Sequence, residues 1–253
     1  MTSQGLELFA PSGFPHIRPG DALDKIILDV LKRNSLSLRD GDILVLAQKI
    51  VSKAEGRYVR LAEVDASRKA RDLAEQCDKD PRLVELILRE SERVVRCAPG
   101  VLIVRHRLGF VHANAGIDRS NIERGDEQVL LLPEDPDASA ARLRECIGGT
   151  AGVDIGVLII DSFGRSWRIG TCGVCIGSAG VEVIGDRRGQ PDLFGRILEV
   201  TEVAVADELA AAASLLMGGA DESRPLVLAR GLAAVGKGTA RDLLRPVDKD
   251  LFL

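Results

Sequence analysis

Val153-Asp-Ile-Gly-Val-Leu-Ile-Ile-Asp161-Ser162-Phe-Gly-Arg165-Ser-Trp-Arg168 decides the fold. Its apolar run, Val153 to Ile160, is short, rich in β-branched residues and bounded by glycine, which reads as a strand buried on both faces. The strand ends on Asp161, and the carboxyl ends of strands are where ligands of α/β sheets bind. Outward from it, strands and helices alternate. Leu6 to Ala10 and Asp42 to Leu46 read as strands, with a Gly/Pro turn region from Ser12 to Asp21. Between the two strands Ala22 to Lys32 has helical spacing, with Leu23, Ile26, Ile27, Val30 and Leu31 on one face. Asp65 is a candidate N-cap for a helix to Cys77, and Asp80-Pro81 opens another, with proline at the first helical position. Strands follow at Val101 to Arg105 and Gln128 to Leu132, then a helix from Asp137 through Cys146. Beyond Asp161 the spacing predicts a helix over Thr201 to Met217, a strand over Pro225 to Ala229 and a short helix over Ala240 to Leu244. This pattern is mixed α/β (α+β).

At 253 residues the chain is larger than one average domain and smaller than two. Its 45% hydrophobic and 28% charged residues are those of a globular protein. A formal charge of −4 leaves no basic footprint for nucleic acid, and one Trp, one Tyr and six Phe are too few for base stacking. No apolar run is long enough to span a membrane, and the start lacks the pattern of a signal peptide. Five scattered cysteines fit reduced thiols in a cytoplasm. Residues 148–195 hold 12 of the 26 glycines, a density that allows positive φ and close approach of backbone to a ligand.

Five motifs carry candidate chemistry. Asn114-Ala-Gly-Ile-Asp118-Arg-Ser-Asn121 reads either as a metal or phosphate loop or as an Asx-rich turn bonding its own backbone. Asp161 and Ser162, with Arg165 and Arg168, suit a divalent ion with phosphate; the alternative is a strand-end turn. Lys53, in Val51-Ser-Lys53-Ala-Glu-Gly-Arg57, is a candidate phosphate charge or a solvated lysine. Gly231-Leu-Ala-Ala-Val-Gly236-Lys237-Gly238-Thr239 falls short of a P-loop, because Gly238 stands where the hydroxyl is needed; it reads as a glycine loop before a helix. Cys172-Gly-Val-Cys175 is a lone pair in a glycine-rich strand rather than a redox or zinc motif. The three histidines, His16, His106 and His112, show no ligand spacing.

Taken in order, several stretches resemble the coenzyme F420-0:L-glutamate ligase (gamma-glutamyl ligase) family in its stand-alone form. They are Gly13-Phe-Pro15 with Gly20-Asp21, Asp40 to Asp42, Val51 to Arg57, Asn114 to Asn121 and Leu131 to Pro133. Asp161 to Arg165, Asp192 to Arg196, Thr201 to Leu209, Leu215 to Gly218 and Pro225 to Leu232 complete the set. The resemblance spans nearly the whole chain. It implies an unusual ligase fold of two intimately packed subdomains in an intertwined homodimer. It also implies one ligase domain over 1–253, with a subdomain break near residue 150 and no C-terminal nitroreductase-like domain.

The implied activity joins L-glutamate to the terminal carboxylate of the deazaflavin precursor, coenzyme F420-0, and adds later glutamates by gamma linkage. It uses GTP, Mn²⁺ or Mg²⁺, and a monovalent cation such as K⁺, and runs through an acyl phosphate. Asp118 and Asp161 match ligands of one metal, and Ser162 the position beside a second. Asp118, Asp161 and Lys53 are the implied catalytic set. Ser12, Gly13, Phe14, Pro15, Gln48, Lys49, Lys53 and Asn121 match nucleotide contacts, as does the loop Gly218, Gly219, Ala220, Asp221, Glu222 and Ser223. Gln48 and Lys49 stand where a relative has small hydroxyl residues. Gly219 falls where a relative has an acidic or amide metal contact, which passes that role to Asp221 or Glu222. Two other readings remain at this point: the same ligation on a folate or pterin acceptor, and a non-catalytic module that binds nucleotide or deazaflavin.

Overall fold

The computed structural model describes residues 5–122, 125–232 and 236–250. In chain order the first elements are β1 (Glu7–Phe9), α1 (Leu23–Arg33), β2 (Ile43–Ala47), α2 (Gln48–Ala54), β3 (Tyr58–Arg60), α3 (Arg68–Cys77) and α4 (Pro81–Arg89). Then come β4 (Ser91–Ala98), β5 (Val101–His106), β6 (Val111–Ala113), β7 (Gln128–Leu130) and α5 (Pro136–Ala151). The last are β8 (Gly156–Arg165), β9 (Arg168–Ala179), β10 (Gly185–Asp186), β11 (Glu202–Val203), α6 (Val205–Met217) and β12 (Leu226–Arg230). The fold is mixed α/β. None of the described helices is long and apolar enough to cross a membrane.

A five-stranded sheet in the order β1-β12-β2-β8-β9 organises the chain. Only β2 and β8 run parallel, in the register Ile43↔Gly156 through Ala47↔Ile160. Residues 43–47, 157–160 and 226–229 of the central strands are apolar at every position because both faces are covered. Leu44, Leu46, Val157, Ile159, Leu226 and Leu228 face one core with α1 and α5. Their neighbours Ile43, Val45, Leu158, Ile160, Val227 and Ala229 face a second core with α6. Burying one such side chain fully is worth about 1.5–3 kcal/mol. A third core, built from α3, α4, β5 and residues near β7, lies between α2 and α5 in sequence. It carries the antiparallel sheet β4-β5-β6.

Arg230 crosses from β12 to the buried Asp42 at the start of β2, donating from Nε to Oδ1 at 2.8 Å and from Nη2 to Oδ2 at 2.6 Å. This two-pronged pair pins the strand that leads into α2.

Several boundaries differ from expectation. Asp80 caps α4 as its sequence predicts, accepting from the Arg82 N–H. However, α3 is capped by Ser67 rather than Asp65, because the Ser67 hydroxyl accepts from the Ala70 N–H. The helix expected from Thr201 starts at Val205, since Glu202 and Val203 pair with Asp186 and Gly185. The dense glycines serve packing as well as turns: a Cβ at Gly173 would strike the Ala210 carbonyl of α6, and one at Gly177 would strike Pro136 of α5. The close approach they permit is of helix to strand, where a ligand contact was expected.

Candidate functional site

The register of the parallel pair builds the site. Ala47 lies opposite Ile160, so β2 gives way to α2 at Gln48 and Lys49 beside the point where β8 runs on into Asp161, which pairs with Val174 of β9. Alternation along β8 puts Asp161 on the same face as Val157, Ile159 and Phe163, toward the α1/α5 core.

Asp118 arrives from the third core. Its N–H donates to the Leu130 carbonyl at 2.9 Å, and its carbonyl accepts from the Leu130 N–H at 3.0 Å. Asn114 and Ala115 both have positive φ, and Asn114 Oδ1 accepts from the Leu102 N–H at 3.2 Å. Asn114 is the turn-maker of this loop, while the Asp118 side chain is left largely buried against α2. Gln48 Nε2 donates to Asp118 Oδ2 at 2.5 Å, and Lys49 Nζ lies 2.9 Å from Asp118 Oδ1. Burial pushes the Asp118 carboxyl up; Lys49 pulls it down, and the charge of Asp161 adds to the rise.

Lys53, one turn further along α2, donates to the Asn121 carbonyl at 2.7 Å. Its ammonium is held below the ordinary lysine range by burial and by Lys49, against the pull of Asp118. Asn121 in turn donates from Nδ2 to the Ala220 carbonyl at 3.0 Å, tying the Asp118 loop to residues 218–223. In that late loop Gly218 has φ +76, and a Cβ there would collide with the Glu222 carboxylate. Glu222 folds back on its own loop and accepts from the Ala220 N–H at 2.8 Å, while Asp221 stays exposed.

The turn Ser12 to Pro15 is fastened to α1: Asn34 bonds both the N–H and the carbonyl of Ser12 at 3.0 Å, and Arg33 reaches the Gly13 carbonyl. Ser162 is exposed, and its N–H donates to Asp161 Oδ1 at 2.8 Å. Thus Gln48, Lys49, Lys53, Asp118, Asn121, Asp161 and the 218–223 loop are linked, while Ser12 to Pro15 is anchored elsewhere.

One residue without a sequence signal joins them. His112, on β6, places Nε2 3.4 Å from Asp161 Oδ2. Its Nδ1 lies 2.7 Å from the Ala113 carbonyl, and its ring packs edge-on against Phe163 at 4.1 Å. Burial depresses the His112 ring, but Asp161, the Ala113 carbonyl and Asp118 together outweigh it and hold the ring above the ordinary histidine range. Its partner is far away in sequence, and only the docking of β6 beside β8 brings them together.

The described glycines of 231–239 have packing reasons: a Cβ at Gly236 would meet the Glu182 backbone, and one at Gly238 would meet Val183. Residues 233–235 lie outside the described residues. Cys175 is buried, which pushes its thiol far up and makes it a poor nucleophile.

A divalent cation fits the chemistry of this donor set. Two carboxylates that repel one another supply hard oxygen donors, and the buried His112 Nε2 has no hydrogen-bond partner. Among the described residues no three His, Cys, Asp or Glu side chains already surround one point. Lys49 supplies the positive charge at Asp118 instead.

The fold and the site define a class: an α/β protein in which two carboxylates and two lysines cluster where the parallel pairing of β2 with β8 ends. Residues 13–231 match the family described as F420-0:Gamma-glutamyl ligase, and the chain belongs to that family. The Coenzyme F420:L-glutamate ligase of Methanopyrus kandleri is 47% identical over 241 residues, 93% of each chain. That of Methanothermobacter thermautotrophicus is 45% identical, covering 98% of this chain and 99% of the relative. That of Archaeoglobus fulgidus is 42% identical, covering 98% and 96%.

Proposed function

We propose that this chain is a ligase of coenzyme F420 biosynthesis that joins L-glutamate to the terminal carboxylate of F420-0 at the expense of GTP. The reading is carried by one observation: Asp118 and Asp161, from separate cores, meet beside Lys49 and Lys53 at the ends of the parallel strands. Family membership and the names of the relatives supply the substrate class.

An acceptor carboxylate does not condense with an amine in water. In the proposed sequence a carboxylate oxygen of the acceptor attacks the γ-phosphorus, and GDP leaves. The amine of glutamate then attacks the acyl carbon, and phosphate leaves with the former carboxylate oxygen. Catalysis of such transfers is positioning and charge stabilisation. Lys49 and Lys53 would hold phosphate oxygens, and Asn121 would keep the late loop against the nucleotide. A divalent cation, when bound by Asp118 and Asp161, would neutralise charge on the phosphoryl oxygens.

A second copy of the chain is part of this proposal. Trp167 and Ile169, at the tip of the β8–β9 hairpin, and Leu193, Phe194 and Val200 are 84% exposed or more. Exposed apolar side chains of this size are ones that a partner would cover; sedimentation at micromolar concentration should show a dimer, and a monomer would refute it.

The test of function is mass spectrometry of protein mixed with GTP, Mn²⁺, L-glutamate and F420-0, beside a folate control. The expected result is a glutamyl mass gain on the deazaflavin, lost in Asp161→Asn. Gain on folate alone would overturn the acceptor, and gain on neither would overturn the ligase.

A further inference from the structure

We propose that His112 Nε2 is a nitrogen ligand of the divalent cation held by Asp161, and that it biases this site toward Mn²⁺ over Mg²⁺. The inference rests on the cation-dependent reading above and adds a ligand to it. The tautomer comes first. The Ala113 carbonyl can only accept, so Nδ1, 2.7 Å from it, carries the proton. When the ring is neutral Nε2 bears the lone pair; without a cation there, the charges of Asp161 and Asp118 favour a second proton in its place. That lone pair faces Asp161 Oδ2 at 3.4 Å, with the His112 side chain only 10% exposed and Nε2 without a hydrogen-bond partner. Two acceptors buried face to face are unfavourable unless a cation or a proton lies between them.

The spacing suits a shared ion. Ligand atoms at about 2.1 Å from one metal stand about 3.0–3.4 Å apart in octahedral or tetrahedral geometry. A histidine whose other ring nitrogen donates to a backbone carbonyl also has the arrangement that orients metal-bound imidazoles. The ring is fixed further by Phe163 at 4.1 Å and by Phe110, edge-on at 6.3 Å. Both oxygens of Asp118 are already engaged by Gln48 and Lys49, and Asp161 Oδ1 by the Ser162 N–H, so Asp161 Oδ2 and His112 Nε2 form the free donor pair. Mg²⁺ demands oxygen ligands, whereas imidazole suits transition ions. A nitrogen in the first coordination sphere therefore sets the preference.

The experiment is pulsed EPR of the purified protein loaded with Mn²⁺ alone, with and without ¹⁵N-histidine labelling. Bound Mn²⁺ should show coupling to a directly coordinated ¹⁴N, converted to ¹⁵N by the label and absent in His112→Phe. Titrations should show Mn²⁺ affinity falling about tenfold or more in His112→Phe, with a smaller change for Mg²⁺. The variant's thermal melt checks its fold, and His112→Gln serves should the phenylalanine not be accommodated. Wild-type Mn²⁺ without nitrogen coupling overturns the proposal, because His112 is then an imidazolium paired with Asp161. A protein that ligates glutamate without that coupling refutes this inference alone. One that shows the coupling yet ligates nothing refutes the ligase reading alone, and one that neither binds Mn²⁺ nor ligates glutamate refutes both.

Discussion

Replacing Lys49 with methionine should tighten Mn²⁺ binding in the absence of nucleotide. Asp118 offers two oxygens, and both are taken: Oδ2 by Gln48 at 2.5 Å and Oδ1 by Lys49 at 2.9 Å. The Lys49 and Asp118 side chains are 28% and 20% exposed, so solvent weakens the pair only in part. A cation that enlists Asp118 must displace the ammonium from Oδ1. A hydrogen bond to a charged group is worth about 1.5–3 kcal/mol net. Methionine has a similar reach and no charge, so this cost of metal loading disappears. At 1.4 kcal/mol per decade, the Mn²⁺ dissociation constant should fall about 10- to 150-fold. The same substitution removes a positive charge that, once displaced, is free to meet phosphate, so GTP affinity should fall. Isothermal titration with Mn²⁺, then with GTP, reads both effects on one sample. Mn²⁺ affinity that stays level or weakens would mean that Lys49 does not compete with the cation, and the exchange would be abandoned.

Two further predictions concern stability. Arg230→Met leaves Asp42, 1% exposed, without its guanidinium; breaking a buried pair this way costs about 3–5 kcal/mol. At about 2–4 °C per kcal/mol the melting temperature should drop by roughly 6–20 °C, and Asp42→Leu with Arg230→Met should recover most of it; a double variant no better than the single one would refute the pair's role. Asp207 accepts from the Cys175 N–H at 2.9 Å, and burial raises its carboxyl above the ordinary range. The folded chain then binds that proton more tightly than the unfolded chain, so stability falls as pH rises from the ordinary carboxyl value through the raised one. Asp207→Asn keeps an accepting oxygen and should remove that loss, melting above wild type at pH 7. Parallel pH profiles of the two melts would contradict it.

What could be read from the sequence follows from burial. Val157 to Ile160 and Ile43 to Leu46 are apolar at every position because helices cover both faces, so a continuous run marked them as strands. In contrast, β4 has the pattern Ser-Glu-Arg-Val-Val-Arg-Cys-Ala, half exposed with two register shifts, and no strict alternation marks it. The helix α2 starts directly after β2 with Ala47 in the capping position and no side-chain cap, so nothing in the sequence punctuates it. Asp118 and Asp161 stood out as acids in a polar loop and at a strand end. His112 did not, because its significance lies in Asp161, on another strand.

Lys49 and Asp161 show why such a site cannot be found one motif at a time. Their placement is a property of register: Ala47 opposite Ile160 puts the start of α2 beside the stretch of β8 that carries Asp161. Slipping β8 by one residue would turn Asp161 toward α6 and expel Ile160 from its core, and would do the same to every residue of the strand. The two apolar cores resist that slip, since each strand position is already committed to one of them. The same packing that makes the central strands legible therefore fixes the chemistry at their ends. Residues such as Val157 and Leu158, which touch no substrate in any reading, determine where the Asp161 carboxylate stands relative to Asp118 and His112.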